Sequence, residues 1–142
     1  MDFLSTPTFN LMQKSLGVMW EKINVTAQNI ANVDTPHYKA KKVEYETILR
    51  QKLNSVNNSY AIAMRNSGKD GSRTQTFRDI LNSVQPVVYT DNTTQTRVDG
   101  NNVDIDYENL ELARTQLQYS YMVKKFTDEY NLLKYAVTEG KG

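Results

Sequence analysis

Apolar side chains recur every seven residues at the two ends of the chain, and the pattern lapses between them. Phe9, Leu16, Ile23 and Ile30 form one row, and Met12, Met19, Thr26 and Val33 run three places behind it. This a/d spacing predicts an N-terminal helix over 8–33, with a seam narrower than the apolar face of an ordinary core helix. Trp20 and Ala27 widen the seam on one side, while Gln13, Lys14, Glu21, Lys22 and Gln28 form a solvated face of mixed charge. The other end repeats the arrangement. Ile105, Leu112, Tyr119, Phe126 and Leu133 form the first row there, and Met122, Tyr130 and Val137 fill in beside it. A C-terminal helix over 104–139 follows. Asp106 is expected as its N-cap, with Ile105 and Leu110 placed as a hydrophobic staple. Glu108 and Glu111 in the first turns and Lys134 near the end suit the helix dipole.

Residues 34–103 are different material. More than half of the stretch from Asn54 to Asn102 is Asn, Ser, Thr, Asp, Gln or Gly, which buries little and orders weakly alone. Val43 to Leu53 reads as a modest helix with Tyr45, Ile48, Leu49 and Leu53 on one side. Thr76 to Val84 suggests one or two helical turns, and Ala61 to Met64 a short helix or strand piece. Pro86 to Tyr89 and Thr96 to Val98 are β-like runs around the turn-rich Asp91 to Thr94, so a small hairpin is expected there. The fold class is therefore mainly α, one domain over 1–142. Two long terminal helices form an antiparallel, coiled-coil-like pair, joined by a polar, partly irregular middle carrying a small β-hairpin. One such pair covers only part of each seam, and no third long helix closes a bundle. The uncovered apolar surface is expected to meet partners, with the terminal helices ordering as they do so.

Composition narrows the chemistry. Seventeen Lys and Arg against sixteen Asp and Glu leave a formal charge of +1, so no general attraction to nucleic acid or an anionic membrane is expected. Without cysteine there are no disulfides, thiolate metal sites or cysteine nucleophiles. The N-terminus lacks the basic start and apolar core of a cleaved signal peptide, and no apolar run approaches the ~20 residues of a membrane span. His37 is the single histidine. It follows Pro36 with no nucleophile motif nearby, so neither a triad nor a histidine metal site is expected. Asp99 to Glu108 is rich in oxygen donors. As a calcium loop it would carry Val103 and Asp104 where a donor and a glycine belong, so it reads as a turn and helix cap. Lys39, Lys41 and Lys42 are too few for a nucleic-acid surface and read as a solvated face or half of an electrostatic contact with a neighbouring subunit. No catalytic, cofactor-binding or metal residue is expected.

Two stretches resemble a known family. Asn29-Ile-Ala-Asn-Val-Asp-Thr-Pro-His-Tyr-Lys39 is similar to the N-terminal signature of the bacterial flagellar rod and hook proteins, roughly NxANxxTxGYK/R. Asp99-Gly-Asn-Asn-Val-Asp-Ile-Asp-Tyr-Glu108, ahead of a long helix, resembles the C-terminal counterpart. The family pattern has glycine where this chain has His37, so either the turn needs no positive φ or its geometry shifts. The resemblance implies a structural subunit of the proximal rod, in the periplasmic part of the basal body, exported without a cleaved signal. It implies partners in other copies, in rod proteins of the FlgC kind and in a FliE-like adaptor at the basal ring, with no membrane insertion. Assembly would use the seams: Phe9, Met12, Leu16, Met19, Ile23 and Ile30 on one helix, and Leu112, Tyr119, Met122, Phe126 and Leu133 on the other. Asn29, Asn32, Thr35, Pro36 and Tyr38 would form a joint that breaks the first helix. Asp99, Gly100, Asn101, Asn102, Asp104 and Asp106 would form the cap of the second. The alternatives are a soluble coiled-coil adaptor or secretion chaperone, and an enzyme using His37.

Overall fold

The computed structural model describes residues 7–54, 79–92 and 97–139. Helix α1, Pro7–Ala31, has 25 residues, and the last helix, Ile105–Glu139, has 35. At 1.5 Å per residue they are about 37 Å and about 52 Å long. Helical residues 46–54 (α2) and 79–83 (α3) lie between them, so Ile105–Glu139 is α4. Strand β1, Lys41–Glu44, pairs antiparallel with β2, Val87–Thr90, in the register Lys41–Thr90 to Glu44–Val87.

The long helices lie antiparallel. Along α1, Phe9 meets Phe126 edge-on at 4.9 Å, Trp20 meets Tyr119 at 6.3 Å, and Asn29 reaches Glu108. As α1 advances, its partners on α4 recede. The covered row of α4 keeps heptad spacing: Glu108, Leu112, Thr115, Tyr119, Met122, Phe126 and Leu133 are buried or half-buried. Glu108 and Thr115 are polar members of that row, which hydrophobicity alone would pass over. Glu139 lies thirteen residues past Phe126, so α4 runs about 20 Å beyond the Phe9 contact. Tyr130, Leu132, Tyr135 and Val137 on that extension are exposed.

The opposite side of α1 is buried too. Val18 and Val25 form a second row seven residues apart, hidden by their shared spacing with polar neighbours. Val18, Tyr45, Ile80 and Val84 make a small core there, with Val43, Ile48, Leu49 and Leu53 around it. Helix α1 thus separates two layers, α4 on one side and the middle segment on the other. Lys14 Nζ donates to the Val84 carbonyl across this second layer at 3.0 Å, and burial pulls its pKa down.

Three expectations change. The hairpin expected between 86–89 and 96–98, part of which lies outside the described residues, is not seen among those described; β2 pairs with β1 instead. Arg97 cannot supply a ladder, because its N–H donates to the Asn101 carbonyl and its own carbonyl accepts from Gly100. The expected helix from Val43 begins only at 46, since Val43 and Glu44 belong to β1. The cap of α4 is Asp104 rather than Asp106: Asp104 Oδ1 accepts from the N–H groups of Asp106 and Tyr107, each at 3.1 Å. Ile105 is therefore the first helical residue, and both Ile105 and Leu110 are exposed instead of stapled. The expected piece at Ala61–Met64 and the start of the Thr76–Val84 turn lie outside the described residues.

Tyr45 is buried, and its hydroxyl has no hydrogen-bond partner among the described residues. Removing such a group relieves a desolvation cost and breaks no bond. Tyr45→Phe should leave the isolated chain as stable as before, or more stable by about 1 kcal/mol, in urea denaturation.

Candidate functional site

The joint after α1 and the segment before α4 lie side by side and interlock through three asparagines. Helix α1 ends at Ala31, and the turn that follows leads to Thr35, which Pro36 keeps out of helical geometry. The Asn32 side chain donates back to the Gln28 carbonyl at 2.8 Å, and its backbone carbonyl accepts from the Thr35 N–H at 3.0 Å. Pro36 itself is exposed. The break leaves the carbonyls of Asn32, Val33 and Thr35 facing inward, and Asn101 Nδ2 donates to all three at 2.9, 3.0 and 2.9 Å. Asn101 is 0% exposed, and its Oδ1 accepts from the Val103 N–H at 2.7 Å. Asn102 holds the next step: its Oδ1 accepts from the Ala40 N–H at 2.6 Å, and its Nδ2 donates to the Asp91 carbonyl at 2.7 Å.

Asn29 does the same from within α1. It stands in the last turns of the helix, its amide aimed at β1 and not at the helix end. Its Nδ2 donates to the Lys41 carbonyl at 2.8 Å and its Oδ1 accepts from the Lys41 N–H at 2.9 Å. The side chain thus stands in for a neighbouring strand on the outer edge of β1. Tyr38 donates its hydroxyl to the same Oδ1 at 3.3 Å, and the Asn29 amide lies near enough to the Glu108 carboxylate to oppose the rise of its pKa. Both acceptor positions of the asparagine oxygen are thus used.

Charged groups reinforce the clasp. Arg97 donates to the Val33 carbonyl at 2.8 Å and lies 3.3 Å from Asp34 and 3.7 Å from Asp99. Lys39 donates to the Gly100 carbonyl at 2.7 Å. Lys42 pairs with Asp91 at 2.6 Å, and that hydrogen bond raises the lysine pKa. Two of the three lysines are thus engaged inside the chain. Asp99 Oδ1 accepts from the Asn101 N–H at 3.0 Å, so the oxygens of the acidic loop serve its own turn. Glu108 is 5% exposed, and burial raises its pKa against the opposing pull of Asn29 and Lys42.

His37 keeps the left-handed backbone that glycine would occupy at this place, with φ at 61°, and its N–H donates to the Asp99 carbonyl at 3.1 Å. Facing it, Gly100 has φ at 80°, and a Cβ there would come within 2.9 Å of His37 Nδ1. A glycine is required at 100 by both conformation and space.

The structure therefore brings Asn29, Asn32, Thr35 and Tyr38 together with Asp99, Gly100, Asn101 and Asn102 in one clasp, while Asp104 and Asp106 open α4 beside it. Phe9, Met12, Leu16, Met19, Ile23 and Ile30 are buried or half-buried along α1, and Leu112, Tyr119, Met122, Phe126 and Leu133 are half-buried along α4. Sequence reasoning missed Glu108 and Thr115 within the α4 row. Their heptad position was the signal, masked by their polarity.

No family model matches the chain. A flagellar basal body rod protein FlgB of Bacillus subtilis (strain 168) is 33% identical over 141 residues, covering 97% of this chain and 98% of that protein. The FlgB of Borrelia hermsii is 34% identical over 113 residues, 78% of this chain and 81% of its own length. That of Borreliella burgdorferi is 30% identical over 107 residues, 75% of this chain and 78% of its own length.

Two outcomes test the clasp. Asn101→Ala should lower stability by about 3 kcal/mol in urea denaturation, because several buried carbonyls and one N–H lose their partner. Asn101→Asp should lower it further, since a carboxylate would face three carbonyl oxygens; packing alone would predict the milder effect for Asp. Glu108 holds its proton above the ordinary 4.5 in the folded chain. The folded state then binds more protons than the unfolded one, and stability falls as pH rises from 4.5 through the raised value. Glu108→Gln should flatten that fall in urea midpoints measured from about pH 4 to about pH 8.

Proposed function

The chain belongs to the FlgB family of flagellar basal body rod proteins, and we propose that it builds the proximal rod by joining neighbouring subunits through its terminal helices. The observation that carries this reading is the outer face of α4. Leu110, Leu117 and Tyr121, turned away from α1, are 69%, 74% and 69% exposed. A row of large apolar side chains on one helix face favours burial against another protein. The polar clasp supports the same reading, because it fixes the angle between two long helices.

The partners on this proposal are other copies, rod proteins of the FlgC kind and a FliE-like adaptor at the basal ring. The place is the periplasmic part of the basal body, reached by export without a cleaved signal. The seam residues of α1 and α4 would work in two settings. Phe9, Tyr119 and Phe126 close the pair inside one subunit, and the outward apolar positions join the next. Neither a cofactor nor a nucleic acid enters the proposal.

A strain lacking this chain should be non-motile, with basal bodies that stop before the rod in electron micrographs, and the intact gene should restore both. Normal motility of that strain, together with a stable soluble dimer of the purified chain, would point to a coiled-coil adaptor or chaperone instead.

A further inference from the structure

Gly17 stands in the middle of α1, where glycine weakens a helix relative to alanine. No contact among the described residues explains that weakness. A Cβ built on Gly17 meets no heavy atom within 4 Å. Beside it runs a groove of about 280 Å³ whose apolar wall is Val18, Tyr45, Val84 and Pro86. Lys14 and Glu21 lie one helical turn to either side of Gly17 and also line the groove. Small residue, apolar wall and flanking charges together describe a seat for a closely approaching helix.

The same chain carries a ridge to match. Leu110, Leu117 and Tyr121 project from α4 with Arg114 between them, all exposed. The ridge is on the side of α4 away from α1. The groove is on the side of α1 away from α4, because the row Phe9, Leu16, Ile23 faces α4 while Lys14 and Glu21 lie about 140–160° round from it and Gly17 about 100°. Ridge and groove are therefore on opposite sides of the molecule and cannot meet within one chain.

Resting on the proposed rod role, we propose that the α4 ridge of one copy seats in the Gly17 groove of the next, a head-to-tail contact between two different surfaces. Gly17 lets the incoming helix approach the backbone of α1, and the leucines cover the apolar wall. Tyr121 brings a large ring that extends the cover over that wall. Arg114 brings a cation toward Glu21, which makes no ion pair among the described residues. A contact between unlike patches repeats without closing on itself, so it extends into a helical array, as a rod requires.

The absence of cysteine makes the test direct. Full-length Gly17→Cys and Leu117→Cys chains, each confirmed as helical as the parent by circular dichroism, are mixed and treated with a short bismaleimide. Conditions are those in which the parent chain self-associates by sedimentation. The mixture should give a cross-linked dimer that neither variant gives alone. Gly17→Ala should raise the melting temperature of the monomer yet weaken self-association roughly tenfold, equivalent to 1.4 kcal/mol. Equal cross-linking within either single-variant sample would mean a two-fold contact and overturn the proposal. Self-association without cross-linking in the mixture would overturn it too, while leaving the rod role intact. A parent chain that stays monomeric at every concentration also overturns it, and the rod role then stands or falls on the motility of the deletion strain.

Discussion

Backbone groups exposed by breaking a helix must find partners, and that requirement organises this molecule. Where α1 stops, three carbonyls turn inward within a few residues, and the Asn101 amide answers all of them. An unpaired buried carbonyl would be expensive, and water has no access to a side chain that is fully buried. The asparagine belongs to the segment leading into α4. Satisfying the end of one helix therefore fixes where the other begins. Asn102 and Asn29 extend the same logic to β1, one from the loop and one from α1 itself.

Those bonds hold the two long helices antiparallel at one end, and apolar packing continues the pairing away from it. Tyr119 and Phe126 meet Trp20 and Phe9 farther along. The arrangement is a hinge closed by polar groups and a seam closed by rings. Among the described residues, α1 is covered on two sides, and exposed apolar side chains lie on the far face of α4, on its C-terminal extension and on β2.

The long helices were legible in the sequence because each repeats one local rule many times. A heptad row needs no knowledge of distant residues, and both helices fall close to the expected 8–33 and 104–139. The antiparallel pairing followed from having only two such rows. The joint was legible as well, since the residue before a proline leaves helical geometry whatever surrounds it. The sheet was not. Its four-residue strands lie more than forty positions apart, and nothing in Lys41–Glu44 or Val87–Thr90 alone names the other. Val43 could equally begin a helix, and β2 could equally pair with the run after it. The turn at Arg97 to Asn101 settled the matter by using its own backbone groups.

The clasp shows the same division at the scale of single side chains. The residues Asn29, Asn101 and Asn102, and the turn chemistry around Pro36 and Gly100, could be picked out from their order in the chain. Their bonds could not, because an asparagine suits a helix end, a turn and a buried bridge equally well. The choice depends on which backbone groups arrive beside it from elsewhere. Sequence by itself determined the two helices, the break between them and the absence of sulfur chemistry, since these rest on local periodicity, proline geometry and composition. Tertiary structure alone decided that Asp104 caps α4, that His37 takes a left-handed turn against Gly100, and that Glu108 is buried beside Asn29. Each of these follows from which distant groups share one small space and must satisfy one another there.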